Sequence, residues 1–267
     1  MKLRHLTFYV LLLAGVFVVG KLIKTLTIGF GDPPETAWDY SVIILITVLI
    51  ISACYFIAQR SGLTGVGGFQ KGNSANYWML LLPVLFPGLL FFKLKNYHCI
   101  DLSLFYFIYL VNVVLMATVE EVLFRGIIFG HLQKNYPERS VHFHCFVSAA
   151  LFSVMHLINL QYSLPGSVIM QLVTSFMMGL FFAALMLRIR NVWLLGMTHG
   201  VLNIMTSNIC NEVLDTPPEP GSIVEGNGLA GALIFLLLLS PVWIIYILLV
   251  RSYRNNPSGN MISKTTK

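Results

Sequence analysis

The sequence predicts an all-α membrane protein, built as a bundle of about eight transmembrane helices. Of its 267 residues, 57% are hydrophobic and 10% are charged, whereas soluble domains carry about 25% charged residues. Long apolar runs, such as residues 233–250, approach the length of about 20 residues that a membrane-spanning helix needs. Because lipid offers no partner to backbone polar groups, each such run is expected to form a helix.

The predicted spans follow the apolar runs along the chain. They lie at residues 6–27, 38–58, 77–92, 103–131, 141–160, 166–187, 191–209 and 229–250. The first follows a basic start but lacks a small-x-small cleavage site, so we expect an uncleaved helix. The third contains Pro83 and Pro87 and is expected to be kinked or broken.

The distribution of charge predicts that both termini are cytoplasmic. With that orientation most lysines and arginines fall on the cytoplasmic side, and the outer segments hold Lys21, Lys24, Lys93 and Lys95. The acidic residues lean toward the outer side. We therefore expect a single multi-pass domain over residues 1–267, in the cell membrane, with a lipid bilayer as its surroundings. The glycine-rich segment 60–76 is expected to be a flexible cytoplasmic loop.

Composition also argues against two kinds of partner. No stretch is basic and aromatic enough to form a nucleic-acid surface. The four cysteines show no CxxC spacing, which argues against a cysteine metal cluster.

A few ionisable side chains lie deep in apolar runs: Glu120, Glu121, Arg125, His156 and His199. A charge at the bilayer centre costs about 2.5–3.5 kcal/mol on insertion scales, so such residues are functional candidates by default. They are expected to face the interior of the bundle.

Glu121 and Arg125 are spaced i, i+4 on the fourth span and can pair on one helix face. Glu120 then points about 100° around the helix without a local partner. A buried carboxylate of this kind can take a proton from water and return it, as general acid–base chemistry requires. The alternative is that all three side chains form a structural ion-pair network.

Two more i, i+4 pairs lie on later spans. Phe152 and His156 share a face of the fifth span, and His199 and Asn203 share a face of the seventh, where Gly200 leaves room for a neighbouring helix. His199 and Asn203 can both donate toward one point, as an oxyanion hole needs. The alternative for His156 is a packed, hydrogen-bonded residue, and the alternative for His199 and Asn203 is a hydrogen-bonded contact between helices.

Together these residues form three motifs in order: EExxxR at 120–125, FxxxH at 152–156 and HxxxN at 199–203. The pattern resembles the CAAX protease and bacteriocin-processing family of intramembrane proteases, also called the Abi family, which includes type II CAAX prenyl endopeptidases. The resemblance covers residues 103–209, which we regard as the catalytic core.

The resemblance implies an endopeptidase that acts on membrane-associated peptide or protein substrates, either prenylated CAAX-type proteins or bacteriocin-like peptides. It implies that Glu120 activates a water with assistance from His156. His199 and Asn203 would stabilise the oxyanion, and Glu121 and Arg125 would support the site.

Whether a metal takes part is left open by the residues. The family is often labelled metalloprotease, and Glu120, His156 and His199 are the candidate ligands for a divalent ion such as Zn²⁺. The chain has no HExxH, and the ligands would have to converge from three helices. We favour a glutamate-activated water without an obligatory metal.

Two other functions remain as alternatives. A proton-coupled transporter would use buried Glu and His residues as a relay, but would show broken helices in corresponding halves, and no such symmetry is visible. A non-catalytic immunity or scaffold protein could keep the same fold.

Overall fold

A computed structural model describes residues 15, 37–85, 104–161, 164–206 and 240–255 of the chain. Those residues form helices and connecting turns, without a strand among them. The helices are α1 (Ala37–Arg60), α2 (Leu104–Glu121), α3 (Gly130–Asn135), α4 (Val141–Met155), α5 (Pro165–Ile189), α6 (Val192–Thr206) and α7 (Ser240–Asn255). A π-helical segment, Val122–Phe129, joins α2 to α3, and 3₁₀ helices cover Ser74–Leu80 and His156–Gln161.

Four helical segments are long and apolar enough to cross a membrane: Trp38–Arg60, Tyr106–Asn135, Val141–Leu160 and Pro165–Ile189. They match the second, fourth, fifth and sixth predicted spans. A shorter apolar helix, Val192–Thr206, matches the seventh. Another, Pro241–Tyr253, overlaps the second half of the eighth, whose residues 229–239 lie outside the described part of the chain. The protein is thus an integral membrane protein whose described part is all-helical, whereas the total of eight spans and the orientation of the termini stay predictions.

Two predicted spans are described little or not at all. The first, 6–27, lies outside the described residues apart from position 15. The third begins as the 3₁₀ helix Ser74–Leu80, followed by one helical turn at Leu81–Pro83, and the chain beyond residue 85 lies outside the described part.

Local signals in the sequence set several helix ends. The Ser140 hydroxyl caps α4 by accepting from the backbone N–H of Phe143. Pro165 occupies the first turn of α5, where its missing N–H costs nothing. Arg190 ends α5 in the left-handed conformation, with φ 53°. The Asn191 side chain then accepts from two backbone N–H groups of α6, so α5 and α6 form a tight hairpin.

The closest helix contact relevant to the site is between α2 and α6. A Cβ atom at Gly196 would lie 2.7 Å from Thr118 Cα, and one at Gly200 would lie 2.6 Å from Val114 Cα. Only hydrogen fits at these two positions, one turn apart. The glycines therefore let the two backbones touch, which brings His199 beside the end of α2.

The glycine-rich segment is packed, contrary to the flexible loop that the sequence led us to expect. Gly68 has φ +66°, a conformation that glycine adopts freely. Its carbonyl accepts from the backbone N–H of Val192, and the Phe69 carbonyl accepts from the Trp193 indole. A Cβ at Gly67 would overlap the carbonyl oxygen of Gly126. The glycines thus permit close packing against the π-helical segment and the α5–α6 hairpin.

Candidate active site

The buried ion pair predicted on the fourth span is present. Arg125 donates through Nη1 to Glu121 Oε1 at 2.9 Å, and both side chains are fully buried. Its Nη2 donates to the backbone carbonyl of Gly179 on α5, at 3.2 Å. The guanidinium also lies over the ring of Phe152, 4.6 Å from the centroid. The cation is therefore held by groups from three helical segments.

His199 lies between the two glutamates. Its Nδ1 is 2.8 Å from Glu121 Oε1, and its Nε2 is 3.9 Å from Glu120 Oε2. Because Glu121 Oε1 also accepts from Arg125, it is a carboxylate oxygen that can only accept, and the Nδ1 of His199 must carry a proton. Nε2, the other ring nitrogen, therefore faces Glu120, whose side chain is 25% exposed.

His156 caps the C-terminal end of α4. Its Nδ1 donates to the backbone carbonyl of Phe152 at 2.9 Å, which leaves Nε2 as the acceptor of the neutral ring. The Phe152 ring meets His156 edge-to-face at a centroid distance of 4.9 Å and meets His199 at 6.1 Å. The two imidazoles therefore flank one phenylalanine, and His156 is half-buried.

The structure brings four of the predicted site residues into contact, whereas, among the described residues, His156 and Asn203 make no bond to Glu120. It brings Glu120, Glu121, Arg125 and His199 into one cluster. Asn203 lies one turn after His199 on α6 and is half-buried. Within the described residues, no hydrogen bond or ion pair links the side chains of His156 or Asn203 to Glu120.

The sequence did not reveal the contribution of α5, which carries none of the three motifs. Gly179 supplies the carbonyl that Arg125 binds, and the Phe182 ring stacks on His199 with a centroid distance of 4.9 Å and an interplanar angle of 30°. Phe182 lies within a run of apolar residues, where nothing distinguishes it from Phe181. The contact became evident only from the packing of the helices.

The three candidate metal ligands do not form a metal site as they are placed. Glu120 and His199 face each other, but no group of three His, Cys, Asp or Glu side chains converges among the described residues. A zinc site needs at least three protein ligands around one point. Glu120, His156 and His199 as placed therefore do not fit a zinc ion.

The other described histidines have separate structural contacts. His142 hydrogen-bonds the Tyr246 hydroxyl at 2.9 Å, which links α4 to α7. His144 is buried, and its Nε2 hydrogen-bonds the backbone carbonyl of Tyr136. Cys54 and Cys145 are buried free cysteines.

Comparison with known proteins supports the family resemblance. Residues 102–205 match the family model described as "Type II CAAX prenyl endopeptidase Rce1-like". This region contains all three motifs, from Glu120 to Asn203, and runs from the start of α2 to the end of α6. The resemblance predicted from the motifs is therefore confirmed over this region. No curated protein and no solved structure matches the chain.

Proposed function

We propose that this protein is an intramembrane endopeptidase that hydrolyses peptide bonds of membrane-associated substrates. The observation that carries the proposal is the placement of His199 between two carboxylates, 2.8 Å from Glu121 and 3.9 Å from Glu120, inside an apolar helix bundle. Residues 102–205, which contain this cluster, match a family of membrane proteases. Ionisable side chains inside a membrane cost free energy, so a buried cluster of them is a functional-site candidate by default.

Glu120 is the proposed general base. The Glu121 carboxylate is already bound to Arg125 and His199, whereas Glu120 keeps a partly exposed oxygen beside the imidazole. Glu120 takes a proton from a water as the water oxygen attacks the carbonyl carbon of the scissile bond. His156 assists because its Nδ1–H is fixed by the Phe152 carbonyl, which leaves Nε2 free to accept from the same water.

His199 and Asn203 are the proposed oxyanion donors. Since Nδ1 of His199 donates to Glu121, the ring can donate through Nε2 only as an imidazolium. In that state the cations Arg125 and His199 balance the carboxylates Glu120 and Glu121, and a buried cluster is least costly when its charges are compensated. The Asn203 amide, one turn along the same helix, adds a neutral donor.

The second step returns the proton. As the tetrahedral intermediate collapses, the C–N bond breaks and Glu120 gives its proton to the leaving amine nitrogen. The products are a new carboxyl terminus and a new amino terminus. Glu121 and Arg125 act through His199, because they fix its tautomer without touching the reacting atoms.

The proposed substrates are peptides that reach the site from the membrane. The family match and the apolar surroundings favour prenylated CAAX-type proteins, and bacteriocin-like peptides are the second class. A prenyl chain would partition into the same lipid that surrounds the helices.

The proposal is tested with purified protein in bilayers and a panel of prenylated, unprenylated and unrelated membrane peptides. Mass spectrometry of products formed in H₂¹⁸O identifies the cleaved bond, and we expect one ¹⁸O in each new carboxyl terminus. We expect Glu120→Ala and His199→Ala to abolish cleavage, and Glu138→Ala, which removes an exposed carboxylate, to retain it. Equal cleavage by all of these variants would contradict the assignment of the site.

The same preparation tests two further points. We expect a chelator series to leave the cleavage rate unchanged, because the described donors do not converge on a metal position. Loss of cleavage that added Zn²⁺ restores would contradict a metal-independent route. Cleavage of no peptide, together with proton flux in sealed vesicles that Glu120→Ala abolishes, would support a transporter instead.

A further inference from the structure

Phe182 is an α5 residue outside all three motifs. Its side chain is fully buried, and its ring lies 4.9 Å from the His199 ring at an angle of 30°. The guanidinium of Arg125 lies 5.9 Å from the same ring. Phe182 thus lies beside Arg125 and His199, the two side chains of the cluster that can carry a positive charge.

The hydrogen bond to Glu121 does not by itself fix the imidazole of His199. That bond sets the direction of the Nδ1–H group, but the ring can still turn about the line of the bond. A ring stacked on its face restricts this rotation, and Phe152, at 74° to His199 and 6.1 Å away, borders its edge. The orientation that results directs Nε2 toward Glu120 Oε2.

We infer that Phe182 is a positioning residue that holds the plane of His199, so that Nε2 faces Glu120 and the oxyanion. This inference rests on the proposed function, since it gives His199 a task in hydrolysis. The stack also suits an imidazolium, because the face of an aromatic ring attracts a cation. Without the ring, His199 keeps its bond to Glu121 but samples other planes.

The chain offers a matched control in the preceding residue. Phe181 lies on the same helix, is 1% exposed, and packs against Phe182 with a centroid distance of 6.0 Å. Phe181→Leu and Phe182→Leu therefore remove the same atoms from equally buried positions. A general loss of packing affects both variants, whereas loss of ring position affects Phe182→Leu.

Two readouts test the inference. We expect Phe182→Leu to lower kcat about 10- to 100-fold, because small misplacements of catalytic groups have effects of this size, with little change in KM. In ¹⁵N-histidine-labelled protein, the Nδ1–H proton of His199 should give a downfield, slowly exchanging NMR signal, which His199→Gln identifies by its loss. We expect this signal to broaden in Phe182→Leu and to persist in Phe181→Leu.

The inference is overturned if Phe182→Leu leaves both kcat and the signal unchanged, or if Phe181→Leu changes them equally. Should Phe182→Leu not fold, Phe182→Met replaces it, because a methionine fills irregular space without a ring. The NMR signal of the His199 Nδ1–H proton can be recorded without any cleavage of a substrate. If the wild-type protein cleaves no peptide, the proposed function fails while the NMR comparison still decides the role of Phe182.

Discussion

At the scale of single residues, Arg125 is the buried cation that joins three helical segments at the candidate site. It is fully buried, pairs with a fully buried Glu121 and binds the Gly179 carbonyl. Removal of one partner of a buried ion pair leaves an uncompensated charge, and this typically costs about 3–5 kcal/mol. A surface pair on the same chain, Arg139–Glu138, has its atoms 4.0 Å apart and both side chains exposed.

We therefore predict that Arg125→Met lowers the free energy of unfolding by about 3–5 kcal/mol. The control Arg139→Met should change it by less than about 0.5 kcal/mol, because an exposed pair contributes little. Denaturing-detergent titration of the purified proteins measures both values. Equal stability of the two variants would show that the buried pair does not hold the bundle together.

Asn203 allows a test of the proposed oxyanion donors that leaves the Glu121–Arg125 ion pair intact. Removal of one oxyanion donor typically costs about 10²- to 10³-fold in kcat, so we predict a loss of this size for Asn203→Ala, with KM nearly unchanged. Asn135→Ala removes an exposed amide at the end of α3 and serves as the control. An unchanged kcat for Asn203→Ala would remove Asn203 from the site.

The residue types of the candidate site could be predicted from the sequence because each is costly in lipid. The i, i+4 spacing also predicted the pairing of Glu121 with Arg125, since that contact is local to one helix. The bond from His199 to Glu121 joins residues 78 positions apart, and the spacing within either motif contains no information about it. Phe182 could not be predicted because an aromatic residue in an apolar helix is equally suited to lipid or to packing.

At the scale of elements, the contact between α2 and α6 sets the distance between the glutamates and His199. The two glycines on α6, at positions 196 and 200, lie against Thr118 and Val114 on α2, just before Glu120. A methyl group at either position would meet backbone atoms closer than 3.0 Å, so α6 would have to shift. Overpacking of this kind typically costs about 1–3 kcal/mol.

We predict that Gly200→Ala lowers both stability and the cleavage rate, because it moves His199 away from Glu121. Gly166→Ala, at a position with open space at the start of α5, should be neutral or slightly stabilising, since alanine is the better helix former. Thermal unfolding and cleavage rates are measured for the pair. If Gly200→Ala retains full activity, the close approach of the two helices is not needed for the site.

The π-helical segment, Val122–Phe129, is an element that periodicity did not predict. Its eight residues are all buried, and Gly126 at its middle receives the Phe69 ring, with a Cβ there placed 2.5 Å from Phe69 Cζ. The packed glycine-rich segment and the π-helical segment therefore fit one another. Composition alone suggested flexibility and could not reveal this packing, because glycine serves both in flexible segments and where backbones approach closely.

At the scale of the whole molecule, run length and hydropathy predicted the four long apolar helical segments found among the described residues. The four long segments lie within a few residues of the predicted spans, because a membrane helix needs a length and composition that are read directly from the sequence. The connections were harder to predict. The end of α5 depends on the left-handed backbone of Arg190, and the start of α6 depends on the Asn191 side chain that caps it. Run length and hydropathy contain no information about either feature.

The proposed orientation is tested with cysteine labelling in a background without the native cysteines. We predict that a membrane-impermeant maleimide labels Leu164→Cys, before α5, in intact cells. Glu138→Cys, between α3 and α4, should react only after permeabilisation, because the cation-rich segments are expected in the cytoplasm. Both positions are exposed. The reverse pattern would invert the topology.

The central claim is that Glu120 activates the water that cleaves the substrate. Its most direct test is the single-turnover cleavage rate of wild type, Glu120→Gln and Glu138→Gln on the best peptide of the panel. Loss of a general base costs about 10²- to 10⁴-fold, so we predict a loss of this size for Glu120→Gln and a wild-type rate for Glu138→Gln. A wild-type rate for Glu120→Gln would contradict the account.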